Sequence, residues 1–304
     1  MDQYSAIQWL FFFYFYCFFG WIFESTFVSV KSRKFVNRGF MRGPFLPIYG
    51  SGAIMMLVVS MPFQDNIFLT YIAGCIGATA LELVTGILME SLFKVRYWDY
   101  SNQRLNYKGH ICLSSTIAWG FLTILMTELV HRGVEQVVFL IPAGVITAVT
   151  LALTVYITVD FTLSFKAAMD LRDVLIGLEK AKQEMERIQK RLDVIIAVAN
   201  EEIEARRQEK TMRMDELTES IEEKFASLKE RFRISPPEFM ADVREEIMEL
   251  CSRYSVEKEQ RQQFKGLKDF YQRSLIKGNP SMYSKRFAEA LEELKKAAGE
   301  WKKK

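Results

Sequence analysis

Six charged side chains stand in or beside long apolar runs: Glu24, Glu82, Glu90 and Asp160, with Arg38 and Arg42 between them. A carboxylate inside a membrane-length apolar run costs about 3 kcal/mol even on the lenient insertion scale. Such a residue faces a partner or a wet cavity, where it can carry a proton, an ion or part of a substrate. Otherwise it only pins neighbouring helices together. Glu82 lies near the middle of its run, and there the pathway reading leads. Glu24, Glu90 and Asp160 each lie within about two turns of a run's end, where an acid reaches interfacial water, so for them the two readings stand level. Arg38 and Arg42 arrive at the same depth, and an acid–arginine cluster on one side of the membrane is expected.

Other chemistries find little footing. There are two histidines and four cysteines, with no CxxC spacing, no HExxH and no GxSxG. No catalytic residue, metal site, cofactor or disulfide framework is therefore expected. A GxxxxGK[ST] phosphate loop is missing as well, so any ATP hydrolysis would come from a separate protein. The net charge of +3 over 304 residues, with bases and acids interspersed, does not point to nucleic acid.

The elements that must position these groups follow from hydropathy. About 20 apolar residues cross a bilayer, and five runs qualify: residues 5–30, 45–63, 67–93, 111–130 and 137–160. The second is short and interrupted by Pro and Gly, so it either spans or re-enters. Basic residues crowd the loops 31–42 and 94–110 and the start of the tail at Lys166 and Arg172, while the opposite loops carry almost none. The positive-inside rule then places the amino terminus outside and the tail in the cytoplasm. The first run lacks a basic start and a small-residue cleavage site and reads as a retained helix.

Joining the first two runs is NRGFMRGPFLPIYG, residues 37–50. Gly39, Gly43, Gly50, Pro44 and Pro47 argue against a plain helix there, so an unwound lid over the acids is expected. In the third run Gly74, Ala78, Glu82, Gly86 and Glu90 recur every four residues, which invites close approach of a neighbouring helix. The second basic loop carries Tyr97, Trp98, Asp99, Tyr100 and Ser101. Its aromatic rings suit an interfacial belt, and Asp99 or Ser101 could cap a short helix.

Glu24, the 37–50 loop, Glu82, Glu90, WDYS at 98–101, then Asn106, Gly109, Ile111–Leu113 and Trp119–Gly120 together resemble the type IV ABC-transporter permease family of CmpB-like membrane proteins. The resemblance spans roughly residues 5–125 and departs from the pattern at His110 and Thr116. It implies a membrane subunit working with a separate ATPase. The family motif falls on Glu24, Asn37, Arg38, Gly39, Gly43, Pro44, Pro47, Tyr49, Gly50, Trp98, Asp99 and Tyr100, without assigning any of them a chemical role.

Beyond the fifth run Leu171, Val174, Leu178, Ala181, Met185, Ile188, Leu192, Ile195 and Ala199 follow a heptad pattern. The seam resumes at Met214, Leu217, Ile221, Phe225, Leu228 and Phe232. Ser235-Pro236-Pro237 then starts a new helix, and Gly278-Asn279-Pro280 ends a later one. The expected architecture is all-α: a polytopic bundle of about five spans (1–165), a long cytoplasmic coiled-coil-like helix (166–234) and a small helical carboxy-terminal region (235–304). The seam 171–199 suits an intramolecular hairpin, a homodimer or a partner protein. The reading that unites these features is a multi-pass cell-membrane transporter subunit. Its alternatives are a membrane-anchored scaffold or sensor and a lipid-processing enzyme.

Overall fold

The computed structural model describes residues 4–199, 218–227, 241–265 and 270–300. All regular structure there is helical. Helix α1 (Ala6–Ser32) starts at a capping box in which Ser5 and Gln8 satisfy each other's backbone N–H groups. Helix α2 (Pro47–Ser60) starts with proline in its first turn, where a missing N–H costs nothing, and continues into a 3₁₀ turn, Met61–Phe63. Asn66 caps α3 (Ile67–Phe93), which ends where Lys94 turns left-handed. Cys112 caps α4 (Leu113–Leu125), which runs through a π turn (Met126–Val130) into α5 (His131–Leu140). Helix α6 (Ala143–Ala199) follows the break at Ile141–Pro142.

Four helical stretches are long and apolar enough to cross a membrane: Ala6–Ser32, Ile67–Phe93, Leu113–Leu140 and Ala143–Ile196. Helix α2 is the short member. Its 14 residues rise only about 21 Å, less than a hydrocarbon core of about 30 Å. Two expectations are corrected. Residues 131–136 are helix rather than an outer loop, because their polar side chains do not break a helix and the first proline after them is Pro142. The unwound segment ends at Leu46, so Pro47, Tyr49 and Gly50 belong to the first turn of α2.

The chain forms two compact units, one of residues 1–172 with 267–304 and one of residues 173–266. In the first, α1 packs on α2, α2 on α3 and α3 on α4. Phe12, Tyr16, Met56, Leu57, Ala78, Met126 and Val138 form a core toward one end. Met41 and Phe45 of the unwound segment pack with Tyr14, Cys17 and Ile157. That segment is a plug inside the bundle, not a lid over it. Phe23, Phe27, Ile76, Val84, Phe121 and Val155 stay exposed, as side chains in contact with lipid would. The unit is completed by α9 (Phe270–Gly278) and α10 (Ala288–Glu300).

In the second unit the far part of α6 packs against α7 (218–227) and α8 (Ala241–Lys265). Met185, Ile188, Leu192 and Ile195 share a core with Ile221, Leu250 and Tyr254, so this stretch of the seam is covered by its own chain. Pairs Arg191–Glu246 and Glu184–Arg253 run in opposite order, which makes α8 antiparallel to α6. At the start of the seam the buried residue is Leu175 and not Val174, because a 3.6-residue turn drifts from a strict heptad. Met214, Leu217, Leu228, Phe232 and the Ser235-Pro236-Pro237 cap lie outside the described residues.

Candidate functional site

The row on α3 decides where the carboxylates point. Thr70, Gly74, Ala78, Glu82 and Gly86 are all buried along one face. An extra methyl at Gly74 would fall 2.2 Å from Thr123 Oγ1, so α3 and α4 touch almost backbone to side chain. That approach delivers Glu82 to α4, where Ser115 and Trp119, four residues apart, share a face. Glu82 is 6% exposed. Its carboxylate accepts from Trp119 Nε1 at 2.9 Å, from Ser115 Oγ at 3.2 Å and from Tyr100 Oη at 3.0 Å. All three donors are neutral, and Glu82 forms no ion pair among the described residues.

Glu24 is the second station. Arg38 Nε lies 3.2 Å from one of its oxygens, and Tyr49 Oη donates to the other at 2.6 Å. Ser25, buried one residue on, accepts from the Arg38 backbone N–H at 3.1 Å and fixes the loop against α1. The Asn37 side chain accepts from Trp21 Nε1 and donates to the Arg42 carbonyl. Gly39, at φ 140°, turns the chain through backbone space that L side chains avoid. Burial, then Glu82, and further on Glu24 raise the Tyr100 phenol above its ordinary value.

Glu90 lies 80° around the helix from Glu82 on ideal geometry and has other partners. Arg96 Nε is 2.8 Å away and His110 Nε2 3.2 Å. A histidine–carboxylate pair here was not expected from sequence. His110 is buried, and that burial together with Arg96 holds its imidazole below the ordinary value. Arg96 also reaches Asp99 at 3.4 Å. Asp99 accepts from the Ser101 N–H and hydroxyl at 3.0 and 2.6 Å. It closes a turn, where sequence suggested a helix cap. Burial alone would raise its pKa, but the Ser101 bonds and Arg96 hold it low.

Asp160, 7% exposed, accepts from the Gly43 N–H at 2.8 Å. Arg42 is drawn elsewhere, its guanidinium lying 4.1 Å over the Phe270 ring and 5.6 Å from that of Tyr271. The expected aromatic belt is also corrected. Tyr97 is buried against Phe40, with a hydroxyl that finds no partner among the described residues, and Trp98 Nε1 donates to the His110 carbonyl. The Tyr97 ring is interior and that of Trp98 half-buried, because the loop folds back onto the bundle.

Sequence reasoning missed three contributors. Ser115 and Trp119 were detectable from their i,i+4 spacing on an apolar helix. The cluster at the opposite end of the bundle was not, since Tyr4 and Tyr16 reach His131 from over 100 positions away, at 3.2 and 2.8 Å. The Asn279-Pro280-Ser281 turn was read only as a helix stop. It packs on Arg38, whose Nη1 donates to Asn279 Oδ1 at 2.5 Å.

A family model described as "Putative ABC-transporter type IV" matches residues 11–165. No curated protein and no solved structure matches the chain.

Proposed function

From the membership of this chain in the type IV ABC-transporter family, we propose that it is the membrane-embedded subunit of a transporter in which Glu82, Tyr100, Tyr49 and Glu24 line the path of an ion, proton or polar substrate. Long apolar helices and the family together make it an integral membrane protein. The observation that carries the reading is Glu82: a buried carboxylate held by three neutral donors. Helix pinning alone would be served as well by an amide, without the cost of burying a charge. The described residues offer that carboxylate hydrogen-bond donors and no counter-cation.

In this reading the basic loops and the tail face the cytoplasm, and ATP hydrolysis is supplied in trans by a separate ATPase. The loops 31–42 and 94–110 face the side on which that ATPase would dock. The seam 171–199 serves contacts within the chain and, on its remaining faces, contacts with a partner. A carboxy-terminal fluorescent fusion that lights up and a periplasmic phosphatase fusion that stays inactive would support this orientation. The reverse pattern would refute it.

The test of the path is Glu82→Gln, which keeps shape and removes charge, with one accepting oxygen replaced by an NH2 donor that the Tyr100 hydroxyl can accept by rotating. Purification in mild detergent should retain an ATPase carrying a phosphate-binding loop, and the chain alone should show no turnover. Membrane-subunit stimulation of that ATPase should fall about tenfold or more in Glu82→Gln, an ordinary size for coupling between sites. Robust turnover by the chain alone would remove the reading. So would unchanged stimulation in Glu82→Gln; if disruption of the second unit then abolished activity, a membrane-anchored scaffold would fit better.

A further inference from the structure

The face built by the two basic loops is covered by a later segment of the same chain. Residues 278–287, Gly-Asn-Pro-Ser-Met-Tyr-Ser-Lys-Arg-Phe, lie against it and are read largely through main-chain atoms. Arg96 and Tyr283 exchange both backbone hydrogen bonds, at 2.7 and 2.9 Å. Ser281 Oγ donates to the Tyr97 carbonyl at 3.3 Å, and Ser284 Oγ to the Lys94 carbonyl at 2.7 Å. Gly278 comes so near that an added methyl would lie 2.5 Å from the Asn37 carbonyl oxygen.

At the bottom sits Asn279, 1% exposed. Its amide donates to the Gly39 carbonyl at 2.8 Å and to the Leu275 carbonyl at 2.8 Å, while its oxygen accepts from Arg38. Met282 and Phe287, both buried, are the apolar anchors. A backbone bridge beside one buried polar side chain and two apolar anchors are features shared with grooves that recognise peptides. A side chain lacking the Asn amide would strand buried carbonyl and guanidinium groups.

We infer that loops 36–41 and 94–98 form a peptide-recognition socket, and that its ligand is this chain's own segment 278–287, selected through Asn279. The socket lies wholly within the part of the chain that the family model matches, and the ligand lies wholly outside it. Three further acceptors of the Arg38 guanidinium come from the ligand: Asn279 Oδ1, the Gly278 carbonyl and Ser281 Oγ. Occupancy of the socket therefore sets the surroundings of the Arg38–Glu24 pair, whatever the role of Glu82.

Hydrogen exchange on the full-length protein in detergent tests this. In Asn279→Ala, exchange should quicken together in residues 36–41, 94–98 and 279–285, by about tenfold for one lost buried hydrogen-bonding group. Helices α1 and α3 should be unchanged. A synthetic peptide of residues 275–288, in excess, should restore protection at 36–41 and 94–98 in that variant, and the same peptide carrying alanine for Asn279 should not. Quickened exchange throughout α1 and α3 would make the segment an inseparable part of the bundle and overturn the inference. A change confined to 279–285, or no rescue by the peptide, would overturn it too. Ser284→Ala is the milder variant if the first does not fold; it should quicken the same three segments to a smaller extent, and no change there would count against the socket.

Discussion

Glu82 and His110 show how much a single side chain discloses in advance. That Glu82 must find partners is legible from one carboxylate in a run of apolar letters. Which groups hold it is not, because Tyr100, Ser115 and Trp119 arrive from a loop and another helix. His110 was harder still, since nothing in its neighbours announces Glu90 as a partner. Its folded pKa lies below the ordinary 6.5. Above that value both folded and unfolded forms are neutral and the group has no effect. As pH falls through about 6.5 the unfolded chain takes up a proton that the folded chain resists, so stability is lost toward acid. We predict that protection of residues 96–111 against hydrogen exchange weakens between pH 7.5 and 5.5, and that His110→Gln flattens the dependence. An equally steep profile in His110→Gln would assign it to another group.

At the scale of elements, helix existence was legible from apolar runs, and the α3 face from its four-residue spacing. Boundaries failed where a local signal had two meanings. Pro47 was taken as a breaker, yet it is the first residue of α2, a place where proline fits well. Gly50 was counted among the residues that unwind the loop, but it is there for closeness. An added methyl would lie 2.6 Å from the Phe13 carbonyl oxygen and 2.4 Å from Cys17 Sγ. The carbonyl cannot rotate away, so Gly50→Ala should force α1 and α2 apart and destabilise the bundle by about 1–3 kcal/mol. Thermal unfolding in detergent would report it, and an unchanged midpoint would show that the helices slide freely. In the second unit Leu192 is fully buried in the α6–α8 core. Leu192→Ala should cost about 2–5 kcal/mol there. Exchange in α8 would report that loss, with α3 as the internal control.

At the scale of the molecule, composition divided the chain into an apolar half and a charged half, and that division misplaces the last stretch. Residues 270–300 are as charged as their neighbours but belong to the first unit. No periodicity could reveal this, because the contacts join positions far apart in sequence, 184 to 240 residues, and many of them run through backbone carbonyls. The seam had a comparable ambiguity. A heptad stripe reads the same whether its cover is a second copy or a later helix, and here Ile221, Leu250 and Tyr254 supply the cover.

The chain leaves the first unit at Arg172 and re-enters it at Leu267, so the segment seated on Arg38 is tethered to its own seat. Its effective molarity there is set by the tether and not by cellular abundance. A feeble intrinsic affinity is enough to keep the seat filled, and a diffusing rival must outbid that tethered concentration. A single proteolytic nick between α6 and α8 would leave the two fragments joined by the core those helices share, so release from the seat would require that core to open as well.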